Sequence, residues 1–433
     1  MAEVKQTWRY KLLKRYLRWV HETLMVRHRY TIGMERMPHY GERFFIVCNH
    51  QNTANDPLNI VFTLPVSWHV CAMARANVFC VRPFITRFLH WIGLLPAYRL
   101  GWEGGEGLDN NFDSFDHVAD SVNSGYPLIV FPEAGHTQGH YLDRFTSGSV
   151  RMAFHTAAAN GFREEVKIVP TAHHYSDYFD IHTDFLWTIG EPISLKPYYE
   201  AYREHPNGVM RDITRQLRST IQQMMLDEGA DDYEAKDFLR QSALNTERTA
   251  GMPLPQQMQA DQRFIDRLRQ HPQYADIIRM AGQLAREEQL IGTDDLTIEH
   301  KPNAAATLLR LVLLAVLLPL WIVSLWPHIV CYSLPPRFIK SDKMFVNSYR
   351  FIMSVLFLYP LLAVLTFLVV APVTGWWWQT LLWIALWIPI GRFSWWYYTV
   401  ARQTRRELNR LIHPQAVKHA EQLREKIRNI LYE

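Results

Sequence analysis

A histidine and an aspartate six positions apart are the side chains in this sequence best suited to acid–base chemistry. His50 and Asp56 lie in the segment Asn49-His50-Gln51-Asn52-Thr53-Ala54-Asn55-Asp56-Pro57, directly after a short apolar run. A carboxylate that binds an imidazole fixes the ring tautomer and stabilises the imidazolium, so such a pair can take a proton from an alcohol. Six residues along a straight helix rotate by about 240°. The chain between the two residues must therefore turn back before their side chains can meet.

Both residues also have an explanation that involves no chemistry. Asp56 precedes Pro57, and an aspartate followed by proline is a favourable start for a helix. His50 could be a hydrogen-bonded polar residue at the end of a strand. The pair by itself does not decide between catalysis and helix capping.

Further polar residues follow other apolar runs. Arg99 ends the segment Gly93-Leu94-Leu95-Pro96-Ala97-Tyr98-Arg99, and Glu133 follows the run Leu128–Phe131. A guanidinium group suits bidentate binding of phosphate, although a single arginine is more often part of a surface salt bridge. Glu133 could orient that cation or bind the hydroxyl of an acceptor. A third run ends in Val169-Pro170-Thr171.

The elements that must position these residues follow the pattern of an α/β protein. Strand candidates are Phe44–Cys48, Leu128–Phe131, Val166–Val169 and Phe185–Ile189, and helix-like segments lie around 57–63, 83–92, 112–123 and 147–159. Continuous apolar strands separated by helices predict a mostly parallel sheet flanked by helices. In such sheets the reactive residues lie on loops at the ends of strands.

Four blocks, taken in order, resemble the glycerolipid acyltransferase superfamily, which includes the lysophosphatidic acid and glycerol-3-phosphate acyltransferases. They are the Asn-His…Asp block at 49–56, the Gly…Arg block at 93–99, the Phe-Pro-Glu block at 131–136 and the Val-Pro block at 169–170. The resemblance covers roughly residues 30–195 and implies an acyltransferase-like fold. It also implies that His50 is the general base and that Asp56 orients it.

The activity implied by the resemblance is O-acyl transfer in phospholipid synthesis. The donor would be acyl-CoA or acyl-carrier protein, and the acceptor would be a glycerol-phosphate type such as lysophosphatidic acid or glycerol 3-phosphate. No metal and no further cofactor is implied. Arg99 would contact the acceptor phosphate, Glu133 would shape the acceptor site, and Pro170 would line the acyl-donor side. The full set of implied binding residues is Asn49, Arg99, Glu133, Gly135, His136, Arg144 and Pro170.

Three departures from the family pattern affect the acceptor. Five residues separate His50 from Asp56 where four are usual. Ala134-Gly135-His136 stands where Gly-Thr-Arg is common, and Arg144–Gly148 stands where Phe-Lys-Lys-Gly is common. Cationic contacts are thereby lost, although Arg144 and Arg151 could compensate. A lipid transacylase or an amino-acid-lipid O-acyltransferase on the same fold therefore remains an alternative.

Hypotheses of other classes have less support. The histidines at 136, 140, 155, 173 and 174 could suggest a metal-dependent hydrolase, but Gly135 and Gly139 favour a loop over the helix that would align His136 with His140. A catalytically inactive membrane scaffold is also possible, and the intact His50/Asp56 pair argues against it. The sequence contains no serine or cysteine in a strand-turn-helix elbow, so we expect no acyl-enzyme.

The second half of the sequence predicts a membrane domain. Leu311–Leu334 and Phe351–Gly391 are runs of 24 and 41 residues without Asp, Glu, Lys or Arg, and about 20 apolar residues span a bilayer. The basic segment 335–350 should stay cytoplasmic, as should the soluble part before it. We therefore expect 305–334 to be re-entrant or to lie shallow in the membrane, and 351–372 and 376–391 to form a spanning hairpin.

The N-terminal region predicts contact with a lipid surface. Residues 1–43 hold ten Lys/Arg against four Asp/Glu, and Leu13, Leu17, Val20 and Leu24 recur at helical spacing within 4–29. Such a helix suits the headgroup layer, although it could instead pack on the protein's own core. The predicted organisation is a membrane-associating region at 1–43, a catalytic domain at 44–200, a helical appendage at 201–304, a membrane domain at 305–400 and a basic C-terminal helix at 401–433.

Charge and cysteine usage exclude some classes of protein and indicate a location. A net charge of +4 does not suggest a nucleic-acid partner, and Cys48, Cys71, Cys80 and Cys331 have no zinc or redox spacing. No secretory signal peptide is expected, because no apolar core follows the N-terminal charges. We expect an integral membrane protein, most simply of a bacterial inner membrane, with its catalytic domain on the cytoplasmic face.

Overall fold

The computed structural model describes residues 7–80, 82–97, 106–133, 135, 139–339 and 344–432. The chain divides into two compact units, one formed by Met1–His21 with Val26–Asp227 and the other by Glu22–Met25 with Glu228–Glu433. The first unit contains the sheet, whereas the described residues of the second form helices joined by loops and turns, without a strand.

An eight-stranded, mostly parallel sheet organises the first unit. Its strands are β1 (Val26–Ile32), β2 (Arg43–Cys48), β3 (Cys71–Arg75), β4 (Leu94–Ala97), β5 (Leu128–Val130), β6 (Val166–Tyr175), β7 (Thr183–Ile189) and β8 (Ile193–Ser194). The strand order is β1-β7-β6-β2-β5-β3-β4, with β8 paired to β6. Among these described strands, the β6–β7 and β6–β8 pairs are antiparallel and the other pairs are parallel. The predicted fold class is confirmed.

Helices flank this sheet and complete its core. They are α1 (Trp8–Leu24), α2 (Asn55–Thr63), α3 (Pro83–Trp91), α4 (Glu106–Asn123), α5 (Gly148–Ala159), α6 (Tyr199–Glu204) and α7 (Pro206–Met224). The side chains of α4, α5 and α7 share one apolar cluster with β2 and β6. The last five residues of β2 are completely buried, and each large apolar side chain there contributes roughly 1.5–3 kcal/mol to folding.

Two sequence expectations for the first unit need correction. Residues 26–29 were expected in the N-terminal helix but belong to β1, which lies at the edge of the sheet. Its sequence, Val-Arg-His-Arg-Tyr-Thr-Ile, is polar because an edge strand is exposed along much of its length. The second correction concerns β6, which extends to Tyr175, six residues beyond its predicted end.

The first helix packs on the protein with one side and exposes apolar residues on the other. Lys14 on this helix is buried, which the sequence pattern did not predict, and its Nζ donates hydrogen bonds to the carbonyls of Pro65 and Trp68, both at 2.9 Å. Burial, helped by Arg18, lowers the pKa of Lys14 to about 8. The outward side carries Trp8, Leu12, Tyr16 and Trp19, spaced at one helical face.

The second unit consists of helices rich in charged residues and helices that are strongly apolar. Its helices are α8 (Tyr233–Gln241), α9 (Leu254–Arg269), α10 (Tyr274–Ile291), α11 (Asp295–His300), α12 (Ala304–Ser324), α13 (His328–Ser333), α14 (Pro335–Phe338), α15 (Met344–Met353), α16 (Tyr359–Thr374), α17 (Trp377–Ile412) and α18 (Pro414–Tyr432). A π-helical stretch, Ser354–Leu358, joins α15 to α16. Helices α8, α9, α10 and α18 share one hydrophobic core.

Among the residues that the structure describes, two helical segments are long and apolar enough to cross a membrane, namely Ala304–Ser324 and Met344–Thr374. The first ends shortly before Pro327, after which the chain continues in the short helices α13 and α14. The second ends at Gly375, which has φ 72° and lies within the predicted turn. Whether 305–334 re-enters or spans the membrane stays a prediction.

A glycine close to the sheet provides a test of the fold. Gly33 has φ +80°, and a Cβ atom there would fall on the carbonyl oxygen of Ile189 at the end of β7. Gly41 has φ +100° but open space around its Cβ position. We expect Gly41→Ala to cost about 1 kcal/mol through its backbone conformation, which is about 2–4 °C in Tm for a unit of this size. Gly33→Ala should lower the Tm at least twice as far, because it adds a backbone clash. Equal losses in melts of the detergent-solubilised protein would contradict this packing.

Candidate active site

The loop after β2 brings the predicted pair together. It runs through residues 49–54 between the end of β2 and the start of α2, and Thr53 has a left-handed φ of 43°. The chain thereby doubles back, as the spacing predicts, and Nδ1 of His50 lies 2.8 Å from Oδ2 of Asp56. The loop thus forms the short imidazole–carboxylate contact that a base needs.

The Asp56 carboxylate is completely buried and bonded on both oxygens. Oδ2 also accepts hydrogen bonds from the backbone N–H groups of Gln51 and Asn52, both at 2.8 Å. Oδ1 accepts one from the Tyr175 hydroxyl at 2.8 Å and lies 3.2 Å from Nε2 of His173. Burial alone would raise the pKa of Asp56, but His173 and His50 hold it well below its usual range. Asp56 is therefore ionised at neutral pH and can orient a base.

His50 is held on three sides but is reachable from solvent. Its backbone N–H donates to Oε1 of Glu133 at 2.8 Å, and its ring stacks on Phe131 with centroids 4.2 Å apart. The His50 side chain is 21% exposed, whereas that of Asp56 is 0% exposed. Because Nδ1 binds Asp56, Nε2 is the ring nitrogen that would take a proton from a substrate.

Glu133 ties the His50 loop to the following segment. Its Oε1 binds the backbone N–H of His50, and its Oε2 accepts a hydrogen bond from the backbone N–H of Asp143 at 3.0 Å. Glu133 also forms an isolated bridge with Phe145. Both carboxylate oxygens therefore have protein donors, and the expected contact with an acceptor hydroxyl stays a prediction.

Three amide side chains fix the loop that has one residue more than the family pattern. Asn49 donates from Nδ2 to the His173 carbonyl at 3.1 Å and accepts from the His173 N–H at 2.9 Å. Gln51 donates to the carbonyl of Gly139 at 2.9 Å and accepts from the Tyr178 hydroxyl at 2.5 Å. Asn52 donates to the carbonyl of Tyr178 at 3.2 Å. These hydrogen bonds replace those to water that the polar groups of the loop lose on burial.

The remaining predicted binding residues lie at different places. Pro170 is buried on β6 opposite Val47, and its carbonyl accepts a hydrogen bond from Gly190 at 2.9 Å. Gly135 has open space around its Cβ position, and Arg144 is exposed without an ion pair to any described residue. Arg99 and His136 lie outside the described residues.

The sequence did not identify His173 and Tyr175 as partners of Asp56. The predicted strand ended at Val169, so the residues beyond it were not assigned to a face of the sheet. Alternation along the complete β6 places residues 171, 173 and 175 on one face, and two of them reach Oδ1 of Asp56. The polar residues at every second position after Pro170, namely Thr171, His173 and Tyr175, were therefore a usable signal.

Comparisons with known proteins support one family. The family model described as Acyltransferase matches residues 28–174, which include His50 and Asp56. A search of curated proteins finds no match to the chain. The crystal structure of the 1-acyl-sn-glycerophosphate (LPA) acyltransferase PlsC from Thermotoga maritima is similar at 17% sequence identity and a TM-score of 0.32, over 48% of this chain and 77% of that one. A likeness of that size carries no argument about this chain.

The contacts of Glu133 can be tested by removing one acceptor. In Glu133→Gln, the amide nitrogen would face a backbone N–H of either His50 or Asp143, and an unpaired buried donor costs about 1–3 kcal/mol. We expect the Tm of the detergent-solubilised protein to fall by about 2–4 °C for each kcal/mol lost. Glu200→Gln, at an exposed ion pair with Arg203, is the matched control and should change stability by no more than about 0.5 kcal/mol. If Glu133→Gln and Glu200→Gln lower the Tm by the same small amount, the hydrogen bonds from Glu133 to the backbone do not contribute to stability.

Proposed function

Residues 28–174 form an acyltransferase domain of the glycerolipid acyltransferase superfamily, and from this premise we propose that the protein transfers a fatty acyl group from a thioester to a hydroxyl of a glycerol-phosphate-type acceptor. The donor would be acyl-CoA or acyl-carrier protein, and the acceptor lysophosphatidic acid or glycerol 3-phosphate, in a step of phospholipid synthesis. The observation that carries the proposal is the His50 imidazole held 2.8 Å from the buried Asp56 carboxylate.

In the proposed reaction the acyl group passes directly from the thioester to the acceptor, without an acyl-enzyme. Nε2 of His50 takes the proton of the acceptor hydroxyl as its oxygen forms a bond to the thioester carbonyl carbon. The carbon–sulfur bond then breaks, and the leaving thiolate takes the proton back from His50. Asp56 stabilises the imidazolium that exists between these two proton transfers. The balance requires no metal and no further cofactor.

The proposed acceptor carries a phosphate group that the protein must bind. A phosphate monoester needs cationic partners, and relatives commonly carry arginine and lysine where this chain has His136 and the segment 144–148. Arg144 and Arg151 are exposed and are the candidates that would replace them, together with Arg99. Because fewer cations are available to bind a phosphate monoester, an assay should also include amino-acid lipids as acceptors and phospholipids as donors.

A membrane location suits this chemistry. Each acyl CH₂ group favours lipid over water by about 0.8 kcal/mol, so a site at the interface spares a long chain the transfer into water. Two helical segments could anchor the protein, and the outward face of α1 carries aromatic and aliphatic side chains. We propose that α1 lies against the lipid surface and that the catalytic unit is on the cytoplasmic side of an inner membrane.

Loss of the base tests the proposed reaction. His50→Ala should lower the rate of acyl transfer by about 10²–10⁴-fold, the usual contribution of general-base catalysis. The measurement uses purified full-length protein in detergent with labelled acyl-CoA and acyl-carrier protein, and with glycerol 3-phosphate and lysophosphatidic acid as acceptors. The same assay is repeated with phospholipid donors, which test for a lipid transacylase, and with a lyso amino-acid lipid acceptor, which tests for an amino-acid-lipid O-acyltransferase.

A second histidine–aspartate pair supplies the control for that experiment. Nε2 of His155 lies 2.7 Å from Asp116, but both side chains are partly exposed on α5 and α4. His155→Ala should therefore keep the wild-type rate. If thiol release and acyl transfer are unchanged in His50→Ala, His50 is not the base. If the wild type transfers acyl groups from phospholipid donors but not from thioesters, the protein is a transacylase and the proposed thioester donor is wrong.

The lipid contact of α1 is testable by labelling. In a Cys80→Ser background, which removes the exposed cysteine, a nitroxide at Leu12→Cys should be more accessible to oxygen than to a water-soluble nickel complex in liposomes, since oxygen concentrates in lipid. The control is Arg215→Cys, at an exposed position of α7, which should show the opposite preference. Equal nickel accessibility at both positions would place the outward face of α1 in water.

A further inference from the structure

A second imidazole binds the same carboxylate as His50. Nε2 of His173 lies 3.2 Å from Oδ1 of Asp56, and Nδ1 of His173 lies 3.0 Å from Sγ of Cys48. The His173 side chain is 0% exposed. Because His50 occupies the opposite oxygen of Asp56, the carboxylate lies between one reachable and one inaccessible histidine.

The position of the His173 ring is strongly constrained. The Asn49 side chain holds both its backbone N–H and its carbonyl, and the ring lies beside those of Phe131, Tyr175 and Phe185, with centroids 5.9–6.3 Å apart. Substrate therefore cannot reach the His173 ring directly, and any influence on the reaction must pass through Asp56.

The hydrogen bonds indicate where the proton on His173 lies. The Cys48 thiol is placed to donate to Oδ1 of Asn49 at 3.4 Å, which leaves the sulfur as an acceptor for an N–H at Nδ1. Nε2 can then donate to Asp56, so both ring nitrogens act as donors, as they do in an imidazolium. Burial would lower the pKa of His173, but the Asp56 carboxylate and Cys48 together raise it to about 10.

We propose that His173 is a positioning residue which, as a buried imidazolium, shares the Asp56 carboxylate with His50 and so sets the pH range in which His50 can accept a proton. This inference deepens the proposed acyl transfer and rests on it. The titratable groups that contact His173 are Asp56, Cys48 and Tyr175. Burial and the nearby Asp56 raise the pKa of Tyr175 well above its usual value, so the tyrosine remains a neutral donor.

The sign of the effect follows from the charges. A proton on His50 is attracted by Asp56 and repelled by a positive His173 beyond it. With a neutral side chain at 173, the Asp56 charge would act on His50 alone and would hold a proton there to higher pH. A nearby charge commonly shifts such a titration by about 1 pH unit or more. The acid limb of the pH–rate profile should therefore move upward by about that amount.

The closing experiment compares His173→Gln with His174→Gln. The control makes the same substitution one position along β6, on the other face of the strand. The first readout is the pH profile of kcat/KM, in which His173→Gln should shift the acid limb by about 1 pH unit and His174→Gln should not. The second readout is the pH dependence of His50 modification by diethyl pyrocarbonate, which reacts with neutral imidazole, followed by peptide mass spectrometry of the full-length protein.

The second readout separates this inference from the proposed function, because modification requires neither substrate nor turnover. A shifted modification midpoint in His173→Gln supports the coupling even if no thioester is a substrate, in which case only the acyl-transfer assignment fails. An unshifted midpoint overturns the inference even in an active enzyme.

A milder pair of variants covers the case in which His173→Gln does not fold. Cys48→Ala removes the acceptor at Nδ1 of His173 and weakens the imidazolium, so the midpoint should move in the same direction by a smaller amount. Cys48→Ser keeps an acceptor and should restore the wild-type midpoint. Identical midpoints for Cys48→Ala, Cys48→Ser and the wild type would overturn the proposed role of His173.

Discussion

Burial of the Asp56 carboxylate is the constraint around which the catalytic unit is built. An ion without access to water is tolerated only when donors surround it, and removal of one partner leaves an uncompensated charge. Here the two oxygens receive hydrogen bonds from two backbone N–H groups, a tyrosine hydroxyl and two imidazoles. The donors come from the loop after β2 and from β6, so these segments must meet before the site exists.

The order of the strands makes this meeting possible. β2 lies between β5 and β6, so the loop at its end has a neighbour on each side. On one side β6 continues past the end of β2 and presents His173 and Tyr175 to Asp56. On the other side, Glu133 follows β5 and binds the backbone of His50. Residues from both neighbouring strands consequently hold His50 and its partner Asp56, which favours a single orientation of the imidazole ring.

What the sequence predicted and what it missed have different physical origins. The His50/Asp56 pair and the buried strands follow from local patterns, since apolar runs and short spacings are legible in one segment. β1 was missed because an edge strand needs few apolar residues. The burial of Lys14 was missed because its carbonyl partners at Pro65 and Trp68 are more than 50 positions away. His173 was missed because the predicted strand ended at Val169, whereas β6 continues to Tyr175.

The same geometry separates the chemistry from the choice of acceptor. Glu133 uses both oxygens on backbone N–H groups, and Asn49 uses both ends of its amide on β6, so these side chains hold His50 and its loop in place. The exposed side chains of Arg144 and Arg151 take no part in these hydrogen bonds. A substitution at either arginine would leave the hydrogen bonds around Asp56 intact, so the geometry of the His50/Asp56 pair and the identity of the acceptor are separate questions.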